Sequence, residues 1–194
     1  MSQRTCKVVF AGYTSVGKTS IVDRIVFSKF SSDITPTLGA SFASKEVTRG
    51  DTTVAFQLWD TAGQEKYKGM TPLYFRNAHI VMLVFSLTDM NSFEEVDSWI
   101  KIVRDTIDTP IQVYLIGNKS DLEDQRVVTN EKAEEKAEEI GAKYMEVSAL
   151  TGYGLTYIFD TMFEDFMSLE NQSVTTKPTT VSVNNGATEK KKCC

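Results

Sequence analysis

Three short β-rich runs are apolar at nearly every position: Val8-Val9-Phe10-Ala11, Ile80 to Phe85, and Ile111 to Ile116. A run of that kind suits a strand covered on both faces, so these are expected as central strands of one sheet. Between the second and third runs, Phe93, Val96, Ile100, Val103 and Ile107 recur at steps of three and four. That spacing lines one face of a helix, with Asn91 or Ser92 as its cap. Strand, helix and strand then form a βαβ unit. Leu155, Ile158, Phe159, Met162, Phe163 and Phe166 repeat the helical spacing near the C-terminus and predict a helix that closes the core. Arg49-Gly50-Asp51 separates two segments of strand character, residues 40–48 and 53–59, which predicts an antiparallel hairpin. With residues 143–147 as a further strand, the pattern is α/β: a mostly parallel six-stranded sheet with one antiparallel edge hairpin strand, flanked by about five helices.

From Glu170 onward the periodicity stops, and no Leu, Ile or aromatic residue appears again. Such a segment cannot bury enough surface to order itself, so the chain divides into a folded domain, residues 1–169, and a flexible tail, residues 170–194. The chain has 194 residues and is 41% hydrophobic, which suits one domain with a real core. Asp and Glu total 26 against 21 for Lys and Arg, a net charge of −5, so no basic field exists to hold a nucleic-acid backbone. Cys6, Cys193 and Cys194 are too few and too far apart for a disulfide framework and point to a reducing compartment. No apolar run approaches the roughly 20 residues that span a bilayer, so membrane contact would need an added anchor.

The chemistry is concentrated in three places. Gly12-Tyr13-Thr14-Ser15-Val16-Gly17-Lys18-Thr19 fits G-x-x-x-x-G-K-[ST] and lies between an expected strand and an expected helix. There the glycines let successive N–H groups converge on phosphate oxygens, Lys18 reaches the β- and γ-phosphates, and the Thr19 hydroxyl can ligate Mg²⁺. Asp60-Thr61-Ala62-Gly63-Gln64-Glu65 follows a strand, where α/β sheets bind ligands. Alone it is also compatible with a helix cap; beside a P-loop it reads as a metal-holding Asp60. Asn118-Lys119-Ser120-Asp121 follows the strand ending at Gly117. One carboxylate can accept the two adjacent donors of guanine, N1–H and the 2-amino group, whereas adenine offers an acceptor at N1 and no 2-amino group. Asp121 therefore suits guanine over adenine, which disfavours an ATP-using P-loop kinase.

In order and approximate spacing, the P-loop, Thr37, D-T-A-G-Q-E, N-K-S-D and Ser148-Ala149-Leu150 resemble the Ras-like small GTPases over about residues 4–169. Trp59-Asp60 with the residues to Glu65, Tyr74-Phe75-Arg76 and the terminal Cys193-Cys194 look like the Rab branch. Residues 38–42 and 51–59 look most like its early-endosomal subgroup. The resemblance implies the P-loop small-GTPase fold, a GTP or GDP ligand, and Mg²⁺ held by Thr19, Thr37 and, through water, Asp60. It implies nucleotide contacts from Ser15, Val16, Gly17, Lys18, Thr19, Ser20, Phe30, Thr37, Gly63, Asn118, Lys119, Asp121, Ser148, Ala149 and Leu150. It also implies an effector-binding aromatic triad, Phe42, Trp59 and Tyr74. Tyr13 and Ser15 depart from the small or acidic residues usual at those places in the branch, which bears on intrinsic hydrolysis. A hydrolysis-deficient GTP-binding module is therefore the alternative to a GTPase.

Gln64 is the group suited to orient an attacking water, and no arginine lies between Arg24 and Arg49 to act as an arginine finger in cis. Unaided turnover on the order of 10⁻⁴ s⁻¹ is the scale the resemblance implies. Lys191 stands where a C-a-a-X box needs Cys, so the Cys193-Cys194 ending resembles instead the doubly prenylated Rab terminus, with Lys190 to Lys192 adding attraction to anionic lipid. The partners so implied are exchange factors, GTPase-activating proteins, a GDP-dissociation inhibitor or escort protein, effectors, and membrane through prenyl groups. The expected form is a monomer on the cytoplasmic face of intracellular membranes, early endosomes included, with a cytosolic pool bound to the inhibitor. His79, the sole histidine, is assigned no chemistry.

Overall fold

The computed structural model describes residues 3–32, 35–63 and 71–175. In chain order the elements are β1 (Gln3–Ala11), α1 (Lys18–Phe27), β2 (Ala40–Arg49), β3 (Thr52–Thr61), α2 (Thr71–Phe75), β4 (Ile80–Ser86), α3 (Met90–Glu94), α4 (Val96–Thr106), β5 (Gln112–Asn118), a 3-10 turn (Glu123–Gln125), α5 (Asn130–Glu139), β6 (Lys143–Glu146) and α6 (Leu155–Thr175). The sheet runs β2-β3-β1-β4-β5-β6. Among the described residues only the β2–β3 pair is antiparallel. The expected sheet, with its edge hairpin strand, is the one observed.

The apolar runs are buried on both faces because helices cover both. Val8 and Phe10 of β1 point to one side, where they join Ile21 and Ile25 of α1 and Ile158, Met162 and Phe166 of α6. Val9 and Ala11 point to the other, joining Trp99, Ile100 and Val103 of α4 and Ala133 and Ala137 of α5. Each large side chain so buried contributes about 1.5–3 kcal/mol, which fixes the strand ends and hence the loops above them.

The helices differ from expectation at three places. The cap of the helix after β4 is Asp89, whose Oδ1 accepts from the N–H groups of Asn91 (3.1 Å) and Ser92 (3.4 Å). Ser92 is instead drawn inward: its hydroxyl accepts from Ser86 N–H and donates to Asp89 O, pinning the first turn to the end of β4. The expected single helix is also two, α3 and α4, interrupted at Glu95. There the Ser98 hydroxyl donates to the Glu95 carbonyl at 2.8 Å and competes with the helical amides for it, so among the described residues six helices stand where about five were expected. At the far end α6 runs on to Thr175, past residue 169. The Arg4 guanidinium holds this extension, bonding Glu170 at 2.7 Å and Met167 Sδ at 3.3 Å.

Candidate functional site

The loop between β1 and α1 is shaped by three residues with positive φ: Gly12 (140°), Ser15 (58°) and Gly17 (95°). A Cβ on Gly12 would lie 2.0 Å from Val84 O, and one on Gly17 would lie 2.3 Å from the Asn118 amide nitrogen. Only glycine fits at either place, because the loop is pressed against β4 and the end of β5. Lys18 is buried and folds back over its own loop, donating to the carbonyls of Gly12 (2.8 Å) and Tyr13 (2.7 Å). Burial brings its pKa down to about 8, opposed by the charge of Asp60. An ammonium so desolvated gains from an anion placed beside it.

Asp60 gathers the hydroxyls. Its Oδ2 accepts from Thr19 at 2.7 Å, Thr37 at 3.3 Å and Ser41 at 3.5 Å, and the Thr19 and Thr37 hydroxyls stand 3.1 Å apart. Its Oδ1 is buried and has no hydrogen-bond partner among the described residues. Burial pushes the carboxyl pKa up, against the Thr19 bond, the Lys18 charge and the Thr37 and Ser41 bonds. A hard cation suits this donor set: two hydroxyls and a carboxylate with one oxygen to spare, all oxygen ligands. Ser41 is absent from the expected set, although the hairpin register pairs it with Asp60. Fixing the register from the two-residue turn at Gly50-Asp51 would have placed it there.

Gly63 follows β3 and meets the P-loop directly: a Cβ on it would fall 2.5 Å from Tyr13 O and 2.6 Å from Lys18 Nζ. The P-loop, residues 30–32 and 35–37, Thr61 and Gly63 enclose a cleft of about 310 Å³, with Ser15, Lys18, Thr19, Phe30 and Thr37 in its walls. The expected phosphate and metal residues are thus brought together, with Phe30 exposed at one side.

Of the residues expected at the base, Phe30 lines this cleft, whereas Asn118, Lys119, Asp121, Ser148, Ala149 and Leu150 do not. Asn118 is buried and joins two loops: its Nδ2 donates to Val16 O (2.8 Å) and its Oδ1 accepts from Ala149 N–H (3.1 Å). Lys119 is in the left-handed region, φ 68°, which turns the chain so that Asp121 faces Ser148. The buried Ser148 hydroxyl donates to Asp121 Oδ1 at 2.5 Å and accepts from Thr151 N–H at 3.0 Å. Val16, Ser20 and Ala149 are buried, and Leu150 is exposed. Phe42, Trp59 and Tyr74 touch in series, with centroids 5.3 Å and 6.3 Å apart. Leu38 and Leu73, near them in sequence, are exposed. Gln64, Cys193 and Cys194 lie outside the described residues.

A family model described as "Ras family" matches residues 7–168. The chain is similar to the Ras-related protein RabC of Dictyostelium discoideum, at 37% identity over 191 residues, covering 97% of this chain and 96% of that protein.

Proposed function

The chain belongs to the Ras family of small GTPases, and from that premise we propose that it is a Rab-type switch in vesicle traffic. It binds GTP and GDP with Mg²⁺, hydrolyses GTP slowly, and is anchored by prenyl groups on Cys193 and Cys194 to the cytoplasmic face of intracellular membranes. The observation that carries the nucleotide chemistry is the convergence of Thr19 and Thr37 on Asp60, whose buried Oδ1 lacks a partner, beside the desolvated ammonium of Lys18. Thr19, Thr37 and Asp60 would hold the cation, which neutralises developing charge on the phosphates. Lys18 supplies the positive charge at the β- and γ-phosphates, and the P-loop amides orient them. Gln64 orients the attacking water, Asp121 accepts from guanine, and Phe30 covers the base. Thr37 and the Gly63 N–H sense the γ-phosphate, so its loss releases both segments.

The Rab relative supports trafficking as the setting, and the likeness of residues 38–42 and 51–59 to the early-endosomal subgroup supports an endocytic step. Among the described residues no helix is long and apolar enough to cross a membrane. The exposed Phe42, flanked by Trp59 and Tyr74, is the surface that effectors engage. One observation favours the hydrolysis-deficient module: Ser15 projects from a left-handed position into the cleft wall and can crowd the γ-phosphate.

Mass spectrometry of the nucleotide that copurifies with the protein tests the first reading, with GDP or GTP expected and an adenine nucleotide overturning it. Single-turnover γ-phosphate release, expected with Mg²⁺ and slowed by Gln64→Leu, separates the switch from the inert module.

A further inference from the structure

Arg24 lies on α1, one residue short of two turns past Lys18, and nothing in the GTPase motifs assigns it a role. Its guanidinium donates to three main-chain carbonyls. Nε donates to Ala149 O at 2.9 Å, Nη2 to Leu150 O, and Nη1 to Ser28 O at 3.3 Å. Ser28 is the left-handed C-cap of α1, φ 55°, from which the chain proceeds to Phe30. One side chain therefore binds the loop on one side of the expected base position and the start of the segment on the other.

The bonds form a closed circuit. From Val16 O it passes through the Asn118 amide to the N–H of Ala149, then from the carbonyl of Ala149 to Arg24, and back along α1 to the P-loop. Ala149 is gripped at both ends of its own residue, by Asn118 at the N–H and by Arg24 at the carbonyl. Ser148, next to it, is the residue whose hydroxyl holds Asp121 Oδ1. We propose that Arg24 is a positioning residue for guanine selectivity: it sets the place of the 148–150 loop and, through Ser148, the carboxylate of Asp121. This rests on the guanine-nucleotide reading above and names a regulator of that same site. A fork that meets several carbonyls at once is work for arginine, because a lysine presents one compact ammonium and cannot span them.

The test compares dissociation of fluorescently labelled GDP and IDP from the full-length protein, its Arg24→Ala variant and its Arg24→Lys variant. IDP lacks the 2-amino donor and so has already lost part of its contact with Asp121. Arg24→Ala is expected to speed GDP release about tenfold and IDP release markedly less, so the GDP-to-IDP discrimination shrinks, with Arg24→Lys in between. Unchanged GDP release in both variants overturns the proposal. So does an equal acceleration for both nucleotides, the mark of a merely structural role. If Arg24→Ala does not fold, the Arg24→Lys discrimination ratio decides alone. If the unaltered protein retains GDP no better than ADP, the guanine reading falls, and the proposal with it, for a reason separate from Arg24.

Discussion

The phosphate half and the base half of the site solve the same problem, holding polar groups ready in a buried place, in opposite ways. In the phosphate half the protein keeps groups under tension: Asp60 Oδ1 has no partner among the described residues, burial lowers the Lys18 pKa to about 8, and Gly12 sits at φ 140° against Val84. In the base half the polar groups satisfy one another. Asn118 uses donor and acceptor on two loops, and Asp121 is already bonded to Ser148. On the proposed reading, the first half suits a charged ligand. The second would meet its base already assembled, and a preassembled site can discriminate between similar bases, because the wrong base leaves a formed group unpaired.

The contrast can be broken in decreasing order of effect. Gly12→Ala strikes the phosphate half through the backbone: its Cβ would lie 2.0 Å from Val84 O, which nothing flexible can relieve. A loss of about 4 kcal/mol is expected, a large part of the roughly 5–15 kcal/mol that a domain possesses, read from denaturant unfolding. Asp121→Asn strikes the base half and should leave the fold intact. Its amide meets the 2-carbonyl of xanthine, so competition binding should show GTP weakened on the order of 100-fold and xanthosine triphosphate gaining. Equal weakening of both would mean that Asp121 does not read the base.

The smallest effect tests whether the base half draws stability from its own charges. Glu146 accepts both prongs of Arg126 at 2.7 and 2.6 Å and the Tyr144 hydroxyl at 2.7 Å, and the Arg126 bonds hold its carboxyl below the usual range. A depressed folded pKa gives stability that is present above the ordinary carboxylate value and lost as pH falls through the folded one. Glu146→Gln should therefore cost about 1 kcal/mol near neutrality, discounted for partial exposure, and the gap should close in melts below about pH 4. A gap independent of pH would assign the loss to packing.

The sequence carried the phosphate half further than the base half. Motif spacing states which groups are needed, and the apolar run of β1 and the strand character of residues 53–59 state which ends they stand on; Thr19 and Thr37 meet Asp60 beside the P-loop. Asn118 was expected at the base, and the structure shows its amide bracing two loops. That follows from the distance between β1 and β5, which no local pattern encodes. Arg24 and Ser41 were missed for a related reason: their partners lie 125 residues away in one case and across a hairpin in the other. Asp89 displaced Asn91 and Ser92 as cap because Ser92 is engaged by β4, again a tertiary preference overriding a local one.

The bond from Arg4 to Glu170 ties the second residue of the first strand to the last helix, across nearly the whole domain. During synthesis the central strand β1 emerges early, yet the face it shares with α6 stays uncovered until Phe166 leaves the ribosome. At roughly 5–20 residues per second that wait is about 8–30 s, during which Val8 and Phe10 have no final cover. Completion of the nucleotide cradle, which hangs from the end of β1, is thus a late event in the birth of the chain. A truncation before α6 should be held by chaperones and not released as a smaller working domain.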